Sequence, residues 1–513
     1  MRTKQTTVCH TCRAHKIGCD GNRPSCSQCL FIGRPCGGYQ LDQAFVPYQP
    51  TVRKRGSGKV SPGAVQFNPG ETQRGPSSDL KITHGSLIEA RSRNAQRLPI
   101  PQPIDSPTFE EFTAVILGYF ISPGWRSAYA LPVGAIQTCG AWVEVLPRLA
   151  ASATPRTLIF SAVKAFGTAI LARGPHGTHI DYQSIKAYNT ALRQLNNFLL
   201  APKEFFHLET AASIACLAMV ELMFATSTKG AYAHIAGFSA LIKSYPPDLF
   251  SSGVLHAIFV GIRPVLLFQA FETRKSTFLA QEKWKRIPFH KHPASDVQAL
   301  MSDAAVLPSL LEEADILRDS SPNTVFARAE IVKAGIMEVL ERISNWKDRY
   351  QMKGTDPSCF VTQHPGVKHQ QDSETFFLFP NLMIGNMHTH AWAFEIICLT
   401  EIEKIDMLLP DYGCTNELKT WPGRSENLRD RVFGLAARIY QSIRYFLQDE
   451  MKLFGPATAI FPLKTAYDAL SVDPHRNHEH ITRCRQLIAC IHRKGLAIVP
   501  HFPAECVDVA DYS

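Results

Sequence analysis

From Phe109 to about Pro503, apolar residues recur at steps of three and four, the period of a helix with one buried side. The segment YQSIKAYNTALRQLNNFLL sets Tyr182, Ile185, Tyr188, Leu192, Leu195 and Leu199 on one face. AEIVKAGIMEVLERISNW does the same with Val332, Ile336, Val339, Ile343 and Trp346. ENLRDRVFGLAARIYQSIRYFL follows with Leu428, Val432, Leu435, Ile439, Ile443 and Phe446. The apolar–polar alternation that strands need is scarce. Residues 108–505 are therefore predicted to form a large all-α domain.

Upstream the pattern lapses. Residues 41–107 hold nine prolines, from Pro47 to Pro107, among glycines and serines, and read as a disordered, flexible linker. The one coiled-coil candidate in it, SLIEARSRNAQRL, offers Leu87, Ile88 and Leu98, short of the three or four heptads a zipper requires. The most apolar stretches of the chain are broken by polar groups: His256, Arg263 and Gln269 in one, Glu221 in another. No membrane span and no secretory leader is expected, so the thiols are expected to stay reduced.

Composition is ordinary for a globular protein, at 45% hydrophobic and 19% charged residues, but charge is not evenly placed. Residues 1–107 carry 15 Lys/Arg against 6 Asp/Glu, whereas residues 108–513 carry 39 of each. The whole excess of positive charge thus lies in the first fifth of the chain, which suits a polyanionic partner there.

The same region holds six of the fourteen cysteines: Cys9, Cys12, Cys19, Cys26, Cys29 and Cys36. The spacing C-x2-C-x6-C occurs twice, so the cluster is a duplicated half-site. Two thiolates spaced C-x2-C reach one metal from a single turn. Two tetrahedral zinc ions need eight ligand positions, and neither His10 nor His15 repeats in the second half to make up the shortfall. Six thiolates suffice if two of them bridge. By the duplication, the natural bridges are the first cysteine of each half, Cys9 and Cys26.

With CRAHKIGCD, Pro24 two residues before Cys26, and GRPCGGY at its close, residues 5–40 resemble the fungal zinc binuclear cluster (Zn2Cys6) DNA-binding domain. The resemblance implies two Zn²⁺ bridged by Cys9 and Cys26, with Cys12 and Cys19 on one ion and Cys29 and Cys36 on the other. It also implies double-stranded DNA as partner and the nucleus as location. In that family a short basic helix enters the major groove, where a lysine and helix-end carbonyls read a CGG triplet. Here Lys16 takes the lysine's place, with Arg13 on the phosphate side and His15 beside it. Where relatives carry further basic residues this chain has His15 and Gly18. Weak intrinsic affinity is therefore expected, aided by Arg53, Lys54, Arg55 and Lys59, a run that reads equally as phosphate contact, nuclear import signal or solvated linker.

Residues from about 110 to 300 resemble more loosely the helical regulatory region of fungal transcription factors. The likeness lies around Tyr188, in AYAHIAGFSALIKSYPP with His234 and Gly237, and in EKWKRIPF with Trp284 and Pro288. It implies regulation, with a homodimer or a co-regulator held through the helical domain, and relatives commonly control specialised metabolism. No nucleotide-binding loop, nucleophile elbow or H-E-x-x-H motif is present, so no enzyme is expected. The histidines of DPHRNHEHIT, His475, His478 and His480, read as a solvated loop before a helix. The remaining cysteines read as small buried apolar residues. The competing reading makes the helical domain the working unit, as a ligand sensor or protein-interaction scaffold, with the cluster giving only non-specific DNA contact.

Overall fold

A computed structural model divides the chain into two units, residues 1–98 and 99–513. It describes residues 9–15, 19, 26, 28–29, 32, 34 and 36 in the first. In the second it describes 107–121, 140–154, 157–173, 181–200, 208–224, 226, 229–318, 322–352, 360–363, 375–408, 428–497 and 502. The linker expected over 41–107 lies outside the described residues apart from Pro107 at its end. The first unit contributes one short helix, α1 (His10–Ala14).

The second unit is built almost wholly of helices, as the periodicity predicts. They are α2 (Phe109–Phe120), α3 (Leu158–Ala172), α4 (Tyr182–Leu200), α5 (Leu208–Phe224), α6 (Gly230–Lys243) and α7 (Gly253–Thr273), then α8 (Glu282–Arg286), α9 (Asp296–Ala304), α10 (Leu307–Arg318) and α11 (Pro322–Met352). After a hairpin come α12 (Leu382–Leu408), α13 (Leu428–Phe446), α14 (Phe454–Leu470) and α15 (His478–Arg493). Local chemistry starts several of them. Thr108 and Glu111 form a reciprocal capping box at α2, the Glu111 N–H on Thr108 Oγ1 at 3.2 Å and the Thr108 N–H on Glu111 Oε2 at 2.7 Å. Ser295 caps α9, and the Asp181 carboxylate takes the Ser184 N–H at 2.6 Å ahead of α4.

One continuous core runs through the unit, from Phe109 to Phe502. Helix α3 packs on α2, α4 and α5, while α13 packs between α12 and α14. Late segments close back on early ones: the Leu453 N–H bonds Tyr119 O at 3.1 Å, and the Ala497 N–H bonds Leu222 O at 2.7 Å. Gly140, at φ 85°, is pressed so close to Phe454 that a Cβ would lie 2.1 Å from the ring. No other residue type meets both conditions there.

One expectation needs correction, and two stand with added detail. On α4 the helix is where the pattern puts it, but the buried side is turned: Ser184, Ala187, Tyr188, Ala191 and Leu195 face inward, while Tyr182, Ile185 and Leu199 are exposed. Small residues win the inner side because α3 approaches closely, with Ser184 Oγ donating to Thr168 O at 3.1 Å. The stripes of α11 and α13 hold over Val332, Ile336, Val339, Ile343, Leu435, Ile439, Ile443 and Phe446, all buried, while Leu428 and Val432 at the start of α13 are half-buried; the Trp346 side chain is outside the described residues.

Second, a two-stranded antiparallel hairpin, β1 (Phe360–Gln363) and β2 (Thr375–Leu378), interrupts the helices, with Phe360 opposite Leu378. Strands of four residues leave too short an alternation to stand out.

Third, α7 is by length and apolar composition a helix that could cross a bilayer, although its polar residues argued otherwise. In this fold it is a core helix. Its Arg263 is fully buried, donating to Gln298 O at 2.9 Å, Gln298 Oε1 at 3.0 Å and Ser302 Oγ at 2.8 Å, with the guanidinium 5.2 Å from the Phe289 ring.

Candidate metal centre

The duplication in the sequence reappears as a duplication in space. Cys9 immediately precedes α1, which carries Cys12 one turn on, and the Cys12 N–H donates to Cys9 Sγ at 3.3 Å. In the second half the Cys29 N–H donates to Cys26 Sγ at 3.4 Å. The C-x2-C spacing produces the same turn twice. In each, the first cysteine is the one whose sulfur accepts a backbone N–H.

These four cysteines are at most 2% exposed, and Cys19 and Cys36 reach them from partly exposed positions. The Cys9 N–H also donates to Cys19 Sγ at 3.4 Å. Two groups of four sulfurs result, Cys9, Cys12, Cys19, Cys26 and Cys9, Cys26, Cys29, Cys36, each with its sulfurs within 4.8 Å of one another. Cys9 and Cys26 belong to both, which is the sharing that six ligands for two ions demand.

The spacing fits zinc. A Zn–S bond of about 2.3 Å gives a tetrahedron whose sulfurs are about 3.8 Å apart. The Cys9–Cys26 and Cys12–Cys26 sulfurs are 3.7 and 3.6 Å apart. An all-thiolate donor set is also the one that selects a structural site, with no position left for water. Two Zn²⁺ thus suit this arrangement.

Burial and neighbouring thiols push Cys29 up to about 12 and Cys12 higher still. At Cys9 the Cys12 N–H pulls down while burial and neighbouring thiols push up, and the balance is upward. Without metal these thiols hold their protons, so metal uptake must release them.

Of the residues proposed to touch DNA, Arg13 lies in α1 with its side chain outside the described residues. His15 is exposed just beyond the helix, its N–H on Thr11 O at 3.1 Å. Lys16, Arg53, Lys54, Arg55 and Lys59 lie outside the described residues. Arg34 is a further exposed cation beside the cluster, with its N–H on Cys29 O at 3.0 Å. The sequence signal for it is its position as the lone charge between Cys29 and Cys36.

Among the described residues no other group of His, Cys, Asp and Glu converges in this way. His475 is exposed in a turn as expected, but His478 and His480 lie within α15 and not in the loop before it, and the half-buried His480 bonds the Tyr440 hydroxyl at 2.8 Å. Cys216, Cys398 and Cys484 are buried small residues, as read, whereas Cys490 is half-exposed and its sulfur takes an N–H from Arg493 at 3.0 Å.

Comparison with known proteins places a family on this geometry. The family described as fungal Zn(2)-Cys(6) binuclear cluster domain matches residues 7–43. Over 91 residues the chain is 32% identical to the sorbicillinoid biosynthetic cluster transcription factor sor3 of Hypocrea jecorina, a stretch covering 18% of this chain and 12% of that protein. No solved structure matches the chain. Six cysteines in that spacing, gathered as two four-sulfur groups with two shared members, agree with the match of residues 7–43 to the fungal zinc binuclear cluster domain.

Proposed function

We propose that the protein is a nuclear, zinc-dependent, DNA-binding regulator of transcription and not an enzyme. The observation that carries this reading is the pair of four-sulfur groups sharing Cys9 and Cys26. About forty residues cannot bury enough apolar surface to fold alone, so two zinc ions supply the missing stability and hold the first half-site in shape. Cys9, Cys12, Cys19, Cys26, Cys29 and Cys36 are the ligands in this reading.

The two halves share ligands but differ in the residues between their cysteines. The first carries Arg13, His15 and Lys16 between its cysteines, the second Leu30, Phe31 and Ile32. The first half therefore faces DNA, with Lys16 on guanine O6 and N7 of a CGG triplet and Arg13 and His15 toward phosphate. Arg53, Lys54, Arg55 and Lys59 add phosphate contacts or serve nuclear import. The relative's name concerns a biosynthetic gene cluster, which favours genes of specialised metabolism as targets. The helical unit supplies regulation, through a second copy or a co-regulator.

Fluorescence anisotropy of the full chain on CGG-bearing and scrambled duplexes, at two salt concentrations and with or without a zinc chelator, tests this. Chelator-sensitive preference for CGG is expected. Equal, steeply salt-dependent binding to both duplexes would overturn the CGG assignment, and absence of binding would overturn the reading itself.

A further inference from the structure

Helix α4 keeps its small residues inside and leaves large ones outside. Tyr182 is 73% exposed, Leu199 54% and Leu200 77%, with Ile185 exposed on the same helix. Apolar residues scattered singly over a surface need no explanation, but these follow a rule.

Ile185, Leu192 and Leu199 stand seven residues apart, and so do Tyr182, Asn189 and Asn196. The two series alternate at steps of three and four, the seam of a two-stranded coiled coil. In heptad letters the second series occupies a and the first occupies d. Leu192 and Asn189 are half-buried, and Asn196 is exposed. The seam thus follows one flank of the outer side, next to the buried Tyr188 and Leu195 at g. Over 19 residues a straight helix departs little from a seven-residue repeat, at about 20° per heptad, so the six residues stay on that flank.

The seam itself says what covers it. Leucine at d suits a pair of helices. A parallel pair sets a against a, so Asn189 and Asn196 each meet the same residue of a like helix and can bond amide to amide. An antiparallel pair sets a against d, and both amides would face leucines with nothing to bond.

Charge complementarity agrees. In a parallel pair, g of one helix lies beside e of the next heptad on the other. Asp181 at g then meets the Lys186 of the second copy at e. The Asp181 carboxylate is already placed by taking the Ser184 N–H at 2.6 Å, and an ionised carboxylate accepts on both oxygens. An antiparallel pair would set e against e, where the exposed Lys186 and Arg193 of each copy repel one another.

A seam of under three heptads is too short to hold a free peptide in a helix. Helix α4 does not depend on the seam for that, because α3 packs against its buried Ser184, Ala187 and Ala191 side. The seam has only to join two helices that already exist.

We infer that α4 is a dimerisation helix, pairing parallel and in register with the α4 of a second copy of this chain. The inference rests on the reading that gives the helical unit a second copy or a co-regulator, and it commits that reading to the second copy. Such a contact is isologous and closes on itself, as a two-fold dimer requires.

Light scattering of the full chain during gel filtration tests it, with an expected mass twice the 57.1 kDa of one chain. Ile185→Glu combined with Leu199→Glu should return the mass to that of one chain, with the circular dichroism unchanged because both residues are exposed. Asn196→Leu should act in the opposite direction and tighten the dimer about tenfold on dilution, since a polar a position fixes register at a loss of stability. Leu199→Cys should form a disulfide between copies under mild oxidation that the parent chain does not form. In an antiparallel pair the two introduced thiols would lie about 25 Å apart, out of reach. A monomeric parent chain, a dimer that persists in the folded double variant, an Asn196→Leu dimer no tighter than the parent, or no new disulfide would each overturn the assignment. None of these measurements contains DNA. A dimer that binds no duplex leaves this inference standing, and a monomer that binds CGG overturns it alone.

Discussion

The backbone of Gly230 lies directly against the carboxylate of Glu221, where a methyl group on Gly230 would meet Oε2 at 2.2 Å. That carboxylate is buried and cannot swing aside, because Tyr188 donates to it at 2.5 Å and the Thr226 N–H at 3.0 Å. Tyr188 in turn meets His234 Nε2 at 2.9 Å, so α4, α5 and α6 share one polar knot inside an apolar core.

Gly230→Ala should therefore destabilise the helical unit by about 1–3 kcal/mol, since either the knot or the α6 backbone must shift. Urea unfolding followed by circular dichroism measures this. An unchanged midpoint would mean that Glu221 is less tightly held than its bonds suggest.

Arg274 separates two effects that usually travel together. Arg274→Ala leaves Glu401 buried without its main partner and keeps a Cβ in the left-handed region; a loss of about 3–5 kcal/mol is expected. Arg274→Gly loses the same guanidinium but relieves the backbone, so it should be the milder change by about 1 kcal/mol. Equal losses would show that the strain is negligible.

The two shared cysteines should differ from the others in metal content. Cys9→Ala removes a ligand from both ions, whereas Cys19→Ala removes one from a single ion. Zinc per chain, measured by atomic emission after gel filtration, is expected to fall to near zero in the first and to about one in the second. Indistinguishable zinc contents would argue against the sharing.

His390 gives the helical unit a dependence on acid. Burial pushes it down from its ordinary value to about 4, against the upward pull of Asn386 O, which its Nδ1 meets at 2.7 Å. Between pH 6.5 and 4 the unfolded chain then binds more protons than the native one. Stability is full above this window and falls as pH drops through it, by about 3 kcal/mol at most. Melting temperatures taken across the window should slope less in His390→Phe, which keeps the ring stack with Phe268 and Phe461. His234 and His256 are lowered by burial too and sustain the remaining slope.

What the sequence made legible follows the distance over which each feature is encoded. The cluster is encoded within 28 residues, Cys9 to Cys36, and two copies of one spacing were enough to name its shared members. Helices such as α11 and α13 announce themselves because burial selects large residues at a fixed period. On α4 the same logic located the helix but misjudged its inner face, since close packing there rewards Ala187 and Ala191 over Ile185 and Leu199. Helix α5 is buried almost all round and so has no period to read. The pairing of Arg274 with Glu401 was beyond reach, because α7 and α12 come together only through packing.

The core position of α7 has a consequence for how the chain is made. Until residues 35 and 39 positions further on have left the ribosome, the partners that hold Arg263 do not yet exist. During that interval a nascent chain presents twenty-one apolar-rich residues in a form that membrane-targeting factors and chaperones are built to grasp. Synthesis that stalls after α7 has cleared the exit tunnel but before Gln298 emerges should thus yield a membrane- or chaperone-bound fragment.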